Sequence, residues 1–179
     1  MAINWNTLEN LIHGQIVAAS GLPATSVIWE HQNRDRPVAP FISLRLEDSN
    51  TIAQHTAEQT IRDNPAPVAG QEILLGIVKT IEFTLFVSVV TVPTAGSLSA
   101  FARLQAIRSM LETETIQDPF FAAGVSLWEC GQIQNVPRIL ETQFEGRATL
   151  PLKFRCADQV EIATTYIESA EWVSVITTQ

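Results

Sequence analysis

The sequence predicts an α+β fold, in which a mainly antiparallel β-sheet carries two long helices packed on one face and is interrupted by a long loop insertion. A long strand pattern starts near Gly76 and leads into a helix pattern that ends near Glu112, and another helix pattern lies at the N-terminus. Helices with a single apolar stripe need an apolar surface to cover, and one face of a sheet provides it.

The first helix is predicted to begin at Asn6, because Asn6-Thr7-Leu8-Glu9 resembles a capping box with asparagine as the N-cap. Six apolar residues share one face of this helix: Trp5, Leu8, Leu11, Ile12, Ile16 and Ala19. Gly21 suits the left-handed position that closes a helix, and Pro23 cannot continue it. The helix is therefore expected to end at Ser20.

Two strand patterns and a long polar region follow. Val27–His31 is typical of a short strand, and the segment after Pro40 alternates apolar Ile42, Leu44 and Leu46 with polar residues. The alternation is lost in residues 48–75, where we expect a long loop. Loops of this length are commonly functional or disordered. Our interpretation is a segment that becomes ordered against a partner, and the alternative is a surface loop without a role.

The longest strand pattern predicts the centre of the sheet. Its alternating apolar residues are Ile77, Ile81, Phe83, Leu85, Val87 and Val89. Pro93 and Gly96 end this strand, and Ser97 is the predicted N-cap of the second long helix. The apolar stripe of that helix consists of Ala100, Phe101, Leu104, Ile107 and Leu111. We expect this strand and helix to pack together as the core.

The next part of the chain is predicted to be mostly strand. Asp118–Gly124 is typical of one helical turn, with proline near its start, and Val125–Cys130 of a strand. Pro137 separates this strand from an extended run at Ile139–Cys156. Pro151 cannot donate a hydrogen bond to a neighbouring strand, so the run is expected to lie at a sheet edge or to carry a bulge there.

Length and composition fit a single domain spanning residues 1–179. An apolar content of 46% in 179 residues is enough to bury a core of its own. The C-terminal region 157–179 is expected to contribute a strand, with Trp172–Ile176 as a last short segment.

Charge and cysteine content exclude several classes of protein. With 11 Lys and Arg against 19 Asp and Glu, the net charge of −8 disfavours a surface that binds nucleic acid specifically. Cys130 and Cys156 are far apart and lie in strand patterns, so we expect buried thiols in a reducing compartment rather than a disulfide framework or zinc site. The N-terminus lacks a basic leader followed by an apolar block, which predicts a soluble protein without a signal peptide.

The sequence predicts neither catalysis nor a cofactor or metal site. It contains no glycine-rich phosphate loop, metalloprotease helix motif, nucleophile elbow or paired-cysteine metal site. His13, His31 and His55 have no second ligand at metal spacing, and Glu47 and Asp48 are expected to point to opposite faces of a strand. We therefore predict that the protein is not an enzyme. A small enzyme or ligand-binding domain stays open as an alternative, and it would need a pocket with convergent polar groups.

Five residues are candidates for contact with another chain: Arg34, Arg36, Phe86, Val90 and Arg108. The first two occupy the polar turn 33–37. Phe86 and Val90 are apolar residues on the otherwise polar face of the central strand, where they form either ordinary surface or a contact patch. Arg108 lies within the apolar stripe of the second long helix. Its guanidinium either reaches solvent at the helix end or pairs with a group in the fold or on another chain.

The order of these features resembles the tail-terminator or neck-terminator proteins of tailed bacteriophages. The segment NVPRILETQFEGRATLPLKF (residues 135–154) carries the resemblance best, together with the strand VKTIEFTLFVSV and the helix segment FARLQAIRSMLE. These motifs are patterns of small and aromatic residues rather than catalytic signatures, and they extend over most of the chain.

The resemblance implies a structural virion protein that forms a six-fold ring at the head-proximal end of the tail tube. Such a ring stops tube growth and joins the tail to the head connector. The implied partners are copies of the chain itself, the tail tube protein, the head connector or adaptor protein and a sheath protein where the tail has one. DNA would pass through the lumen without specific binding, which suits an acidic chain.

The implied location is the virion neck, with assembly in the host cytoplasm. A ring built by rotation needs two different patches on each copy, and the candidates are the region 48–75, the turn 33–37 and the outer face of the central strand. The alternative within virion proteins is a head-completion or adaptor ring on the portal side.

Overall fold

The computed structural model describes residues 4–32, 35–52, 58–66, 73–93, 96–140 and 143–164. It is a mixed α/β structure. The helices are α1 (Trp5–Ser20), α2 (Ala100–Leu111) and α3 (Glu114–Ala122), with a short 3-10 turn at Ala24–Ser26. The strands are β1 (Val27–Trp29), β2 (Phe41–Ile52), β3 (Glu58–Asp63), β4 (Ile73–Thr91), β5 (Val125–Cys130), β6 (Gln134–Asn135), β7 (Arg138–Leu140) and β8 (Gln143–Thr164).

The sheet is built around β4 and β8, which pair antiparallel from Ile73 opposite Thr164 to Thr91 opposite Gly146. The main strand order is β1-β2-β4-β8-β5, while β3 pairs with β4, and β6 and β7 pair with β8. β1 lies parallel to β2, and the other described strand pairs are antiparallel. The predicted mainly antiparallel sheet is therefore confirmed in part.

The core lies between one face of this sheet and the helices. Phe83 and Phe154, on neighbouring strands, stack with ring centroids 5.3 Å apart, and Phe120 of α3 lies at the same distance from Phe154. The largest fully buried side chains are Phe83, Phe120, Phe154, Ile12, Ile16, Ile42, Leu44, Leu85, Leu104, Leu111, Leu150 and Leu152. Burying such side chains is the main contribution to stability. The buried core includes residues of both the predicted central strand and the predicted second long helix.

Both predicted N-caps were wrong by two residues. The cap of α1 is Asn4, whose Oδ1 accepts from the Thr7 N–H at 3.2 Å, and the cap of α2 is Ser99, whose Oγ accepts from the Ala102 N–H at 3.1 Å. In each case the chain offers the same residue type twice, two positions apart, so residue type alone does not decide the start. Gly21 closes α1 with φ 65°, as predicted.

The third helix was predicted too short. The expected single turn at Asp118–Gly124 is part of α3, which starts at Glu114 and contains Pro119 in its interior. Ile116 and Phe120, four residues apart, are both buried against the core. Their burial outweighs the hydrogen bond that Pro119 removes. The described residues therefore contain a third helix in addition to the two long helices that were predicted.

The predicted loop at 48–75 is wrong over most of its described part. β2 continues to Ile52, β3 covers Glu58–Asp63, and β4 already begins at Ile73. β2 and β3 pair one after the other with β4, so the region belongs to a long β-hairpin. The apolar alternation fails there because backbone hydrogen bonds, rather than a buried face, hold these strands together.

The predicted extended run at Ile139–Cys156 is two strands. β7 and the start of β8 pair with each other, with Arg138 opposite Glu145, and β8 then continues beyond Cys156 to Thr164. The predicted C-terminal strand 157–179 is thus part of β8 as far as Thr164. The predicted segment Trp172–Ile176 lies outside the described residues.

One of the two predictions for Pro151 was a position at a sheet edge, and this prediction is wrong. It lies in β8 opposite Phe86 of β4, and its carbonyl accepts from the Gly131 N–H at 2.9 Å. Pro151 has no N–H, and the side of β8 to which this N–H would point faces the gap between β5 and β6. No hydrogen bond between strands is therefore lost. A Cβ on Gly131 would come within 2.6 Å of Pro151 Cγ, which explains the glycine.

Candidate functional site

The face of the sheet away from the helices is polar, and much of its charge is paired within the chain. Glu30 Oε1 accepts from Ser43 Oγ at 2.9 Å and lies 3.5 Å from Arg147 Nη2. Three further ion pairs on this face are Arg45 with Glu47 at 2.8 Å, Lys153 with Glu129 at 2.7 Å and Arg155 with Glu82 at 3.0 Å. This face therefore offers little uncompensated charge to a partner.

The predicted contact residue Arg36 has partners inside the chain. It forms an ion pair with Glu145, which is buried, and its guanidinium lies 5.1 Å from the ring centroid of Phe41. Arg36 thus ties the segment after β1 to the start of β8. Arg34 lies outside the described residues.

Phe86 and Val90 are covered by their neighbours on adjacent strands. Val90 is 3% exposed and is paired with Phe41 on one side and Arg147 on the other. Phe86 is half-buried, and the guanidinium of Arg45 lies 5.2 Å from the centroid of its ring. These cross-strand neighbours could not be assigned before the register was known. A role for either residue in contact with another chain stays a prediction.

Arg108 pairs with a group in the fold, which is one of the predicted alternatives. Its Nε lies 3.8 Å from Glu112 Oε1, one helical turn away, and the side chain is partly exposed at the end of α2. The same guanidinium is near Cys130, where its charge opposes the rise in the pKa of that thiol caused by burial. Contact of Arg108 with another chain stays a prediction too.

An exposed apolar groove, which sequence reasoning missed, lies where the start of α2 meets the end of β4 and the start of β8. We call it the α2 groove, with a volume of about 300 Å³. Its apolar walls include Leu98, Phe101 and Phe144, which are 57%, 45% and 54% exposed. Phe101 was expected in the buried stripe of α2 and instead faces this groove. Clustered exposed apolar side chains are typical of interaction surfaces.

Arg103 lies outside the residues that line the α2 groove, on the side of α2 that faces α1. It lines a smaller cavity of about 70 Å³ between α1 and α2, and Leu98 lines both this cavity and the groove. The Nε of Arg103 is buried without a hydrogen-bond partner, and no ion pair to it is found within the described part of the chain. A buried donor without a partner is a local cost to stability.

A second exposed surface lies at the other end of β4. We call it the distal arm, and it consists of β3, Ile73–Val78 of β4 and Gln159–Thr164 of β8. Its β4 segment, ILLGIV, is apolar on both faces, yet none of the arm side chains that the structure describes belongs to the buried core. Strands that are apolar on both faces are normally covered on both faces.

Within the described residues, the strand β3 of the distal arm has a partner on one side. Among the described strands β3 pairs only with β4, so its other edge presents unpaired backbone groups. Ile61 on this strand is 72% exposed, and Asp63 is exposed as well. The distal arm and the α2 groove are therefore two different surfaces suited to protein contact.

The titratable groups show no arrangement for catalysis in the described ranges. No group of three or more His, Cys, Asp or Glu is placed there to hold a metal ion. His13 Nε2 lies 2.9 Å from the Val27 carbonyl oxygen, and His31 Nε2 lies 3.9 Å from Glu9 Oε2. His55 is outside the described residues.

Both cysteines are free thiols, as predicted, although only Cys156 is fully buried. Burial, with a smaller effect of Asp158, raises the pKa of Cys156 to about 11, and burial also raises the pKa of Cys130. Both thiols are therefore protonated at neutral pH. None of the helices in the described ranges has the length and apolar character needed to cross a membrane.

Comparison with known proteins gives this geometry a context. A family model described as phage neck terminator protein matches residues 6–179, nearly the whole chain. The search of curated proteins gave no match. The family is a structural one rather than a class of enzymes, and its members act in the virion neck in association with other phage head and tail proteins. The chain belongs to the phage neck terminator family, and its role is a structural one at the junction of head and tail.

Proposed function

We propose that this protein forms a closed ring of about six copies that caps the head-proximal end of the tail tube, stops its growth and connects it to the head. The observation that carries the proposal is the presence of two unlike apolar surfaces, the distal arm and the α2 groove, on a chain of this family. A ring made by rotation joins one surface of each copy to a different surface of the next.

The charge of the chain supports the same proposal. A net charge of −8 repels the phosphates of DNA, which suits a lumen through which the genome passes without binding. The proposed partners are the tail tube protein, the head connector or adaptor protein and, in a contractile tail, the sheath protein. The ring would assemble in the host cytoplasm before it becomes part of the virion neck.

The proposal is tested by the native mass of the purified protein, with negative-stain images of the same fraction. We expect closed rings, and we expect tubes polymerised from tail tube protein to become shorter and capped when the ring is added. Rings that bind the head connector and leave tube length unchanged would instead indicate an adaptor on the portal side. A protein that forms no ring, alone or with tubes, would contradict the proposal.

The turn 33–37 is tested separately as a contact between copies. Arg34→Glu protein, mixed with wild type, should lower the yield of rings if the turn forms such a contact. Arg36→Glu is the matched control, because it breaks the internal pair with Glu145 and is expected to lower stability in the monomer as well. Unchanged ring yield with Arg34→Glu would remove the turn from the candidate contacts.

A further inference from the structure

We propose that a pocket on the polar face of the sheet binds a carboxylate of the next copy in the ring. We call it the arginine pocket. It has a volume of about 240 Å³, and its polar lining consists of Glu30, Arg45, Ser88, Arg138, Arg147 and Thr149. This inference rests on the proposed ring and names a contact between its copies.

The arginine pocket is cationic, although most of the charge on this face is paired. Three arginines line it, together with a single glutamate, Glu30. The carboxylate oxygens of Glu30 lie 3.5 Å from Arg147 Nη2 and 3.8 Å from Arg45 Nε. Both distances are longer than a normal N–H···O hydrogen bond. Arg45 also pairs with Glu47, so the unused donors of the pocket belong mainly to the other two arginines.

Arg138 and Arg147 can turn these donors towards an acceptor from outside the chain. Arg138 is exposed at the start of β7, and no ion pair to it is found among the described residues. Arg147 lies in β8, is partly exposed, and has the long contact with Glu30 as its ion pair within the described ranges. A guanidinium group presents its donors as a planar fork that matches the two oxygens of a carboxylate.

A hydroxyl pair adds a further donor. Ser88 Oγ and Thr149 Oγ1 lie 3.0 Å apart and form a hydrogen bond with each other. Each hydroxyl has one hydrogen, and the bond between them uses one of the two. No acceptor for the second hydrogen is found within the described residues. The pocket therefore combines charged and neutral donors, an arrangement that suits an oxyanion such as a carboxylate.

The charge of the chain indicates that a second copy supplies the carboxylate. Each copy carries a net charge of −8, so two copies repel each other unless a cationic surface lies between them. Lys153 and Arg155, on the same face, already pair within the chain at 2.7 Å and 3.0 Å. The arginine pocket offers less completely paired cations, and every copy has an excess of carboxylates.

The position of the arginine pocket supports the same occupant. Pro137 lines both this pocket and the α2 groove, so the cationic pocket adjoins the exposed apolar surface. Protein interfaces commonly combine an apolar centre with polar and charged contacts around it. A copy that covers the α2 groove would therefore reach the arginine pocket as well.

Arg138→Gln is the first test, with Lys153→Gln as the matched control. Both changes remove one positive charge from the same face, but Lys153 pairs with Glu129 and lies outside the pocket. Arg138→Gln should raise the protein concentration needed for ring formation about tenfold or more, and Lys153→Gln about twofold or less. Native mass over a dilution series measures both, and circular dichroism shows whether each variant is folded. Equal effects would overturn the inference, because net charge alone would explain them.

A cross-link identifies the source of the carboxylate. Arg138→Lys keeps the positive charge and supplies an amine, which a water-soluble carbodiimide joins to a neighbouring carboxylate as an amide. Rings are formed from a mixture of unlabelled copies and copies labelled with heavy nitrogen. We expect cross-linked peptides at position 138 that carry one label from each kind of copy. Cross-links confined to one copy, or none in assembled rings, would overturn the inference.

A DNA phosphate would fit the same donors, and a binding assay separates it from a carboxylate. Fluorescence anisotropy of a labelled double-stranded oligonucleotide is measured with wild type and with Arg138→Gln. We expect no binding by either at physiological salt, because the net charge of −8 repels the phosphates. Binding that is lost in Arg138→Gln while ring formation is unchanged would overturn the inference.

Failure of this inference and failure of the proposed function give different results. If Arg138→Gln forms rings as readily as wild type and these rings cap tubes, the inference is wrong and the function stands. If ring formation depends on Arg138 but the rings leave tubes uncapped, the inference stands and the function is wrong. A folded wild-type protein that stays monomeric, alone and with tube protein, overturns both.

Discussion

The body of the sheet and the distal arm are made from the same two strands but differ in what covers them. In the body, Phe83, Leu85, Val87 and Val89 of β4 are buried under the helices. In the arm, the apolar segment Ile73–Val78 of the same strand is only partly buried. Among the described residues, burial rather than composition thus distinguishes the two regions.

The change from body to arm is sharp along β4. Lys79 and Thr80 are both exposed, while Ile81 still packs against the core. Trp5, the first residue of α1, packs edge-on against Phe83 with ring centroids 5.7 Å apart. The helical layer therefore ends near this point, and β4 and β8 continue beyond it.

The largest expected difference between the regions is in the free energy of unfolding of the monomer. Phe154→Ala removes a fully buried ring that stacks on Phe83, and it should cost about 3–5 kcal/mol. Ile61→Ala in the arm should change stability by no more than about 0.5 kcal/mol. Urea denaturation at a concentration at which the protein is monomeric measures both. Equal losses would show that the arm is part of the core.

Gly131→Ala should cost about 1–3 kcal/mol, because the new Cβ would come 2.6 Å from Pro151 Cγ in the body of the sheet. Pro151→Ala in the same chain should recover part of this loss, since it removes the ring atom. Gly14→Ala is the matched control. No atom lies within 4 Å of a Cβ at Gly14, so this change in α1 should raise stability by up to about 1 kcal/mol. The absence of coupling between residues 131 and 151 in a double-mutant cycle would contradict the explanation.

Arg36→Ala should cost about 1–3 kcal/mol, because it leaves the buried carboxylate of Glu145 without its charged partner. Arg108→Ala, which breaks a more exposed pair within α2, should cost about 0.5 kcal/mol or less. Thermal unfolding of the two variants compares an internal pair with a surface pair. Similar small losses would mean that Arg36 is free to contact another chain.

Stability should also fall at alkaline pH because of Cys156, which lies at the boundary of the body opposite Ile81. Its pKa is about 11 in the fold and 9.0 in the ordinary thiol, so the unfolded chain loses its proton first as pH rises. Deprotonation then stabilises the unfolded state, and stability decreases between pH 9.0 and about 11, with no effect at lower pH. Urea midpoints across this range should fall less for Cys156→Ala than for wild type. Equal slopes would show that the thiol is not buried.

Much of the body could be predicted from sequence because its apolar residues recur at the spacing of a strand or of a helix. The alternation in β4, the stripe of α2 and the glycine that closes α1 all follow from one buried face or one backbone conformation. The distal arm was harder to predict in this way, because β4 is apolar on both faces there and β3 is polar at every position except Ile61. The helix starts were missed because equivalent cap residues occur two positions apart.

The candidate surfaces were harder to predict than the fold. Phe86 and Val90 are unusual on their own strand, but Arg45, Phe41 and other residues of the adjacent strands cover them. The α2 groove combines Leu98 and Phe144, which are far apart in the chain. One signal was available: Leu98 is a large apolar residue at the predicted start of the second long helix, and it lies outside the apolar stripe predicted for that helix.

The most direct test of the difference between body and arm is hydrogen–deuterium exchange of the assembled protein compared with the monomer at low concentration. We expect protection on assembly in residues 58–63 and 73–78 of the arm and in residues 97–101 beside the groove, with β4 and β8 of the body unchanged. Protection confined to the outer face of the body, with no change in the arm, would contradict the assignment of the arm as the contact between copies.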